Sequence, residues 1–188
     1  MALTPAQNAT LKAYVEADGT LNTLPHDNGG AVDIATAMNA EANPAWYVFR
    51  TNVSVSEVQN KIVYANMTPA QAIPANNTNE SLQIWIAKNL LAQGKQFNLQ
   101  NLLLNADAIN FALPNVYTAF QDALTALPTK SDGTNQQAGW TGLQLITSRK
   151  ANTVEKLLST GTGSQAASAT MGFEGSVSYG DVFTAMGW

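Results

Sequence analysis

Helix-start chemistry is the feature that most narrows what this chain can fold into. In Thr4-Pro5-Ala6-Gln7 a Thr hydroxyl is set to accept from a free backbone N–H, Pro occupies the first helical position, and Gln follows three residues after the cap. Ser54 and Glu57 repeat the reciprocal pairing, and the same four letters recur at Thr68-Pro69-Ala70-Gln71. The flanking sequences do not repeat and no period of about 20–50 residues emerges. The recurrence is therefore one capping solution used twice.

Helical spacing follows these starts. Leu11, Tyr14 and Val15 share a face before Asp18-Gly19, and Val32, Ala35, Met38 and Ala42 share another before Asn43-Pro44, where the residue preceding proline is pushed out of the helical region. The Ser54 box opens a helix through Val58 and Ile62. After the polar loop at 76–79, Leu82, Trp85, Ile86 and Leu90 form a stripe that Gly94 is expected to stop. Leu99, Leu102 and Leu103 continue helically to about Asn110, and Pro114 opens a helix through Tyr117, Phe120 and Leu124. Beyond a Ser-Asp-Gly loop at 129–135, one long helix is expected from about Gln136 to Leu158, carrying Trp140, Leu143, Thr147, Ala151 and Val154. The aromatic segment 45–50 reads either as a strand or as a buried extended connector. About seven helices with little β predict an all-α bundle over residues 1–158.

The texture changes after Leu158. Residues 159–170 hold Gly, Ser, Thr and Ala with no charge and little to bury, a linker composition. Met171 to Ser178 alternates, and Tyr179, Val182, Phe183 and Met186 follow at helical spacing. Residues 159–188 are thus expected to form a flexible linker and an extended C-terminal arm. Trp46, Trp85 and Trp140 lie among apolar neighbours and read as core. Trp188 reads as an anchor, since Trp and Phe dominate interfaces, docking on a neighbour or back on its own domain. The arm's aromatics, Phe173, Tyr179, Phe183 and Trp188, are the candidate interface residues.

Charged residues make up only 12% of the 188, against roughly a quarter in typical domains. A surface of amides and hydroxyls can be covered by another protein without stripping water from many charges, which favours a subunit of something larger. A source whose proteins use few charges gives the same composition. The net charge of −4 argues against a nucleic-acid binder, which needs clustered Lys and Arg. The nearest such group, Arg149-Lys150 with Lys156, reads as a solvated helix face. There is no apolar run long enough for a membrane span and no leader-like start, so a soluble, cytoplasmically made protein is expected.

Chemistry-bearing motifs are sparse. The chain has no Cys, which excludes disulfides and thiolate sites, and one His, His26, which excludes a His-pair metal site. No cofactor or metal is expected. His26 beside Asp27 supplies residue types for a serine triad, yet no Gly-x-Ser-x-Gly elbow occurs, and a turn histidine is ordinarily solvated. Glu16 and Asp18 resemble a glycosidase acid pair but point to different helix faces. Glu41, Glu57 and Glu80 are general-acid candidates only if buried in a cleft, and each also sits where a solvated carboxylate or cap belongs. Thr160-Gly161-Thr162-Gly163-Ser164 lacks the Lys of a phosphate-cradling loop.

The segments "LTPAQNATLKAYVEAD", "PAWYVFRTNVSVSEV" and "EKLLSTGTGSQAASATMGFEGSVSYGDV" resemble small structural-module proteins of tailed bacteriophages, with the stretch from about Thr68 to Asn135 matching least. The resemblance implies a non-enzymatic virion protein assembled in the host cytoplasm. A helical domain with a C-terminal arm resembles the head-to-tail adaptor (neck connector). That implies a homo-oligomeric ring gripping its neighbours and the portal through the arm, with DNA passing without specific binding and no membrane partner. Capsid decoration, a tail protein, an assembly factor and a lysozyme-like helical enzyme are the competing expectations.

Overall fold

The computed structural model describes residues 3–67, 79–128 and 137–188. The second Thr-Pro-Ala-Gln start, the polar loop at 76–78, the Ser-Asp-Gly loop and the expected helix start at Gln136 lie outside the described residues. In chain order the helices are α1 (Pro5–Ala17), α2 (Asn28–Asn39), α3 (Val55–Gln59), α4 (Tyr64–Met67), α5 (Asn79–Leu103), α6 (Pro114–Leu124), α7 (Trp140–Gln144), α8 (Thr153–Leu157) and α9 (Tyr179–Met186). The strands are β1 (Tyr47–Phe49), β2 (Val53–Ser54), β3 (Ala108–Ile109), β4 (Ser148–Lys150), β5 (Ser159–Thr160) and β6 (Thr170–Met171), paired antiparallel as β1–β4, β2–β3 and β5–β6. The fold is mixed α/β with small antiparallel sheets, and the all-α expectation is corrected.

Two segments depart from the expected helices, and the first of them supplies β structure. Trp140, Leu143, Thr147, Ala151 and Val154 are all buried, but not on one helix face: Trp140 and Leu143 lie on α7, Thr147 and Ala151 flank β4, and Val154 lies on α8. β4 interrupts the run, pairing Tyr47 with Lys150 and Phe49 with Ser148. The Asn152 side chain then restarts a helix by capping the Glu155 N–H at 2.8 Å. Gly94, in turn, does not stop α5, which runs through it for 25 residues. A glycine inside a helix costs about 1 kcal/mol relative to Ala, and the buried Ala92, Lys95 and Leu99 on either side hold the helix across it.

The chain divides into two compact units, Met1–Phe49 with Ser148–Trp188, and Arg50–Thr147. In the first, both ends of the sequence share a core. α1 begins on the expected capping box, Thr4 and Gln7 bonding each other's backbone at 2.8 and 3.3 Å, and buries Leu11 and Val15. α2 is capped by Asp27 and buries Ile34 and Met38. Both pack against α9, and Val154 of α8 completes the cluster. Residues 159–188, expected as linker and arm, are integral to this unit. β5 and β6 form a hairpin, Phe173, Val177, Val182 and Met186 sit in the core, and Asn39 clamps Val177 with bonds of 2.8 and 2.9 Å to its carbonyl and N–H.

The second unit builds on the Ser54–Glu57 capping box and on β2–β3, which sets Val53 opposite Ile109. Phe111 and Phe120 meet at 5.3 Å between ring centres, and Tyr117 lies edge-on to Trp140 at 5.1 Å. α5 packs along α6 and touches α4. Gly139 holds φ at +90°, and a Cβ there would lie 2.0 Å from the Lys61 carbonyl oxygen, so this junction admits only glycine.

Candidate functional site

The C-terminal aromatics occupy specific places in the first unit. Phe173 is 4% exposed, inside the core. Ser178 caps α9, its hydroxyl and N–H both bonded to Asp181, and turns Tyr179 outward at 55% exposure. Phe183 and Trp188 lie half-buried against the core, with Phe183 edge-on to Trp188 at 6.0 Å. Trp188 also stacks on His26 at 4.5 Å. Of the four residues expected at an interface, three are used by the chain's own unit and Tyr179 remains open.

The segment is held to β4 and α8 by an ion pair that sequence reasoning missed. Glu155 is 2% exposed and receives the Arg149 guanidinium as a fork, at 2.7 and 2.8 Å. It also accepts the N–H groups of Gly175 at 2.9 Å and Asn152 at 3.1 Å. Burial pushes the Glu155 carboxyl up, but the Arg149 fork and the two N–H bonds outweigh it and leave the group below its ordinary value. Arg149 is raised in turn by the same carboxylate. The signal was the Asn152-to-Glu155 capping spacing, which marks a helix start inside the segment read as one helix.

The carboxylates weighed for acid chemistry have structural occupations. Glu16 faces Lys12 at 3.7 Å and Glu41 faces Lys150 at 2.7 Å. Asp18 accepts the N–H groups of Leu21 and Thr20, which lower it, and Glu57 is lowered by Arg50 and by the Ser54 N–H. The side chain of Glu80 lies outside the description. A cleft of about 460 Å³ in the first unit is lined by Tyr14, Glu41, Trp46 and Lys156, among others. Its Trp46 is already engaged: the indole N–H donates to Ser159 at 2.9 Å, Lys156 lies over the ring at 5.6 Å, and Gly163 presses so close that a Cβ would sit 2.1 Å from it. Among the described residues no three His, Asp or Glu gather as metal ligands, and no helix is long and apolar enough to cross a membrane.

The surface that stands out is on α5. Toward its own unit the helix buries Ala92, Lys95 and Leu99. Lys95 reaches the Asp122 carboxylate at 3.1 Å and the Asp122 carbonyl as well. The opposite side exposes Leu82, Ile86, Leu90 and Phe97, continued by Leu104 just past the helix end, with exposures from 36% to 66%. No charged residue interrupts them: Gln93 and Gln100 fill the gaps, and both are exposed. Exposed apolar side chains aligned on one helix face mark an interaction surface.

No protein-family model, curated protein or solved structure matches this chain.

The α5 face was nonetheless written in the sequence. Leu82, Trp85, Ile86 and Leu90 read as one stripe, whereas only Trp85 of these is half-buried and the other three point outward. The distinguishing signal was the second set at the same spacing, Ala92, Lys95 and Leu99, which takes the inward side.

Proposed function

We propose that this chain is a non-enzymatic structural subunit of a tailed-bacteriophage particle, working at the neck as a head-to-tail adaptor that meets neighbouring subunits and the portal. The observation that carries the reading is the outward face of α5: a long, charge-free, apolar surface on a chain with 12% charged residues. Exposed apolar patches of this size mark interaction sites in soluble proteins, and interface cores are poor in charge. The likeness of both ends and of the Trp46 block to phage structural-module proteins supplies the setting, with assembly in the host cytoplasm. Docking is assigned to α5, since the C-terminal segment spends Phe173, Phe183 and Trp188 on its own unit. The acidic balance suits a channel that DNA traverses without being held.

Quantitative mass spectrometry of purified particles tests this. A few copies per particle relative to the major capsid protein, at ring stoichiometry, is the expected result. Hundreds of copies would replace the adaptor with capsid decoration, and absence from the particle would overturn the proposal in favour of an assembly factor or an enzyme.

A further inference from the structure

We infer that the outward face of α5 is a self-association surface, and that its occupant is the α5 of a second copy of this chain. The inference rests on the reading of α5 as the docking surface. Positions 86, 90, 93, 97, 100 and 104 advance by alternating steps of four and three residues, the spacing that keeps one seam facing a partner helix. Four of the six are apolar, and Leu90, Phe97 and Leu104 recur every seventh residue. The seam spans about 27 Å at 1.5 Å per residue. Its reverse side carries Lys95 and Leu99, which face α5's own unit, so the seam is not the helix's own core contact displaced outward.

The seam is self-complementary. Its flanks carry Ala87, Gly94 and Asn101 on one side and Asn89 and Gln96 on the other, with no charge among them. Two copies therefore meet without like charges opposed, a conflict that a charged flank would impose on any self-pairing. Ala87 and Gly94 allow close backbone approach. Gln93 and Gln100 carry both donor and acceptor, so each can bond a copy of itself.

The area is also sufficient. Taking about 150–200 Å² for a side chain of this size, Leu82, Ile86, Leu90, Phe97 and Leu104 expose roughly 400–550 Å² per copy. Two copies then cover about 800–1,100 Å² before the glutamines and small flanking residues are added, which brings the pair to the size of a standard specific interface. A cleft of about 440 Å³ in the second unit, which the seam residues Gln100 and Leu104 line together with Gln59 and Tyr64, lies at the end of the seam.

Sedimentation velocity of the full chain, over a series from low to a few hundred micromolar, tests the inference beside Leu90→Glu/Phe97→Glu and Tyr179→Glu. Reversible association of the wild type is expected, weakened by about 100-fold or more in the α5 variant and unchanged in Tyr179→Glu. Circular dichroism checks that the variants fold, and the uncharged Leu90→Gln/Phe97→Gln pair serves if glutamate disturbs the helix. A wild type that stays monomeric throughout, or an α5 variant that associates as before, overturns the inference. Recovery of a monomeric wild type from particles at ring stoichiometry would overturn the second-copy partner and leave the structural-subunit proposal standing. An α5-dependent dimer absent from particles would do the reverse.

Discussion

Deleting residues 179–188 removes α9, and the consequence separates an appended arm from a structural helix. Val182 and Met186 are 0% and 8% exposed and Ala185 is 8% exposed, while Phe183 and Trp188 are half-buried on the same core. At about 25 cal/mol per Å² of apolar surface, Val182 and Met186 contribute about 2 kcal/mol each, Ala185 about 0.8, and the two aromatics about 1 each. The total of about 7 kcal/mol is an upper figure, because an unfolded chain already hides part of its apolar surface. It still rivals the 5–15 kcal/mol that typically separates folded from unfolded states. Leu11, Ile34 and Met38 would also be left facing water. Thermal unfolding followed by far-UV circular dichroism should show the first unit's transition lost, or lowered by about 30–55 °C at about 4–8 °C per kcal/mol, the range for a unit of this size. A midpoint within a few degrees of the full chain, with unchanged cooperativity, would show that α9 is not part of the core and restore the flexible arm.

Further outcomes follow from three single positions. Glu155→Gln should destabilise the first unit by about 2 kcal/mol at neutral pH, because it takes the fork from Arg149 and leaves that partly exposed guanidinium only the longer Glu174 carboxylate contact at 3.6 Å, as read by urea unfolding. The same pair gives a pH dependence: Glu155 is lowered in the fold, so its stabilisation is full above the ordinary value of 4.5 and is lost as pH falls through the lower folded value. The gap between wild type and Glu155→Gln should therefore shrink on acidification below about pH 4.5, and a gap that stays constant would contradict the assignment. Gly163→Ala, at φ +63° with its Cβ placed 2.1 Å from the Trp46 ring, should cost about 2 kcal/mol or more and shift the Trp46 fluorescence. Gly139→Ala should destabilise the second unit by a similar amount, seen in its urea transition, since both the backbone conformation and the Lys61 carbonyl oppose a side chain there.

Elements announced by side-chain chemistry were legible in the sequence. The Thr4 and Ser54 boxes and the Pro114 start each open a helix where the spacing places one. The 136–158 run was misread because burial every third or fourth residue satisfies a continuous helix as well as a helix, strand and helix that bury the same residues. Only the β1 partner, remote in sequence, decides between them. The C-terminal segment was misread through its glycines. Gly161, Gly163 and Gly175 all hold positive φ, so their density reflects turns that only glycine enters easily, rather than freedom to move. The α5 face was half legible: its seam is visible as a spacing, but sequence alone does not say which of two apolar stripes a helix turns inward. Lys95, charged yet 6% exposed, inverts the usual guide.

The most direct test uses the absence of cysteine from the chain. Leu90→Cys places a single thiol on the outward face of α5, and its maleimide labelling rate can be compared between dilute free protein and the same chain in purified particles, with denatured protein as the full-labelling reference. Rapid labelling of the free chain and strong protection in the particle, where a neighbour covers α5, is the expected result. Equal labelling in both would show the α5 face open after assembly and contradict its role as the docking surface.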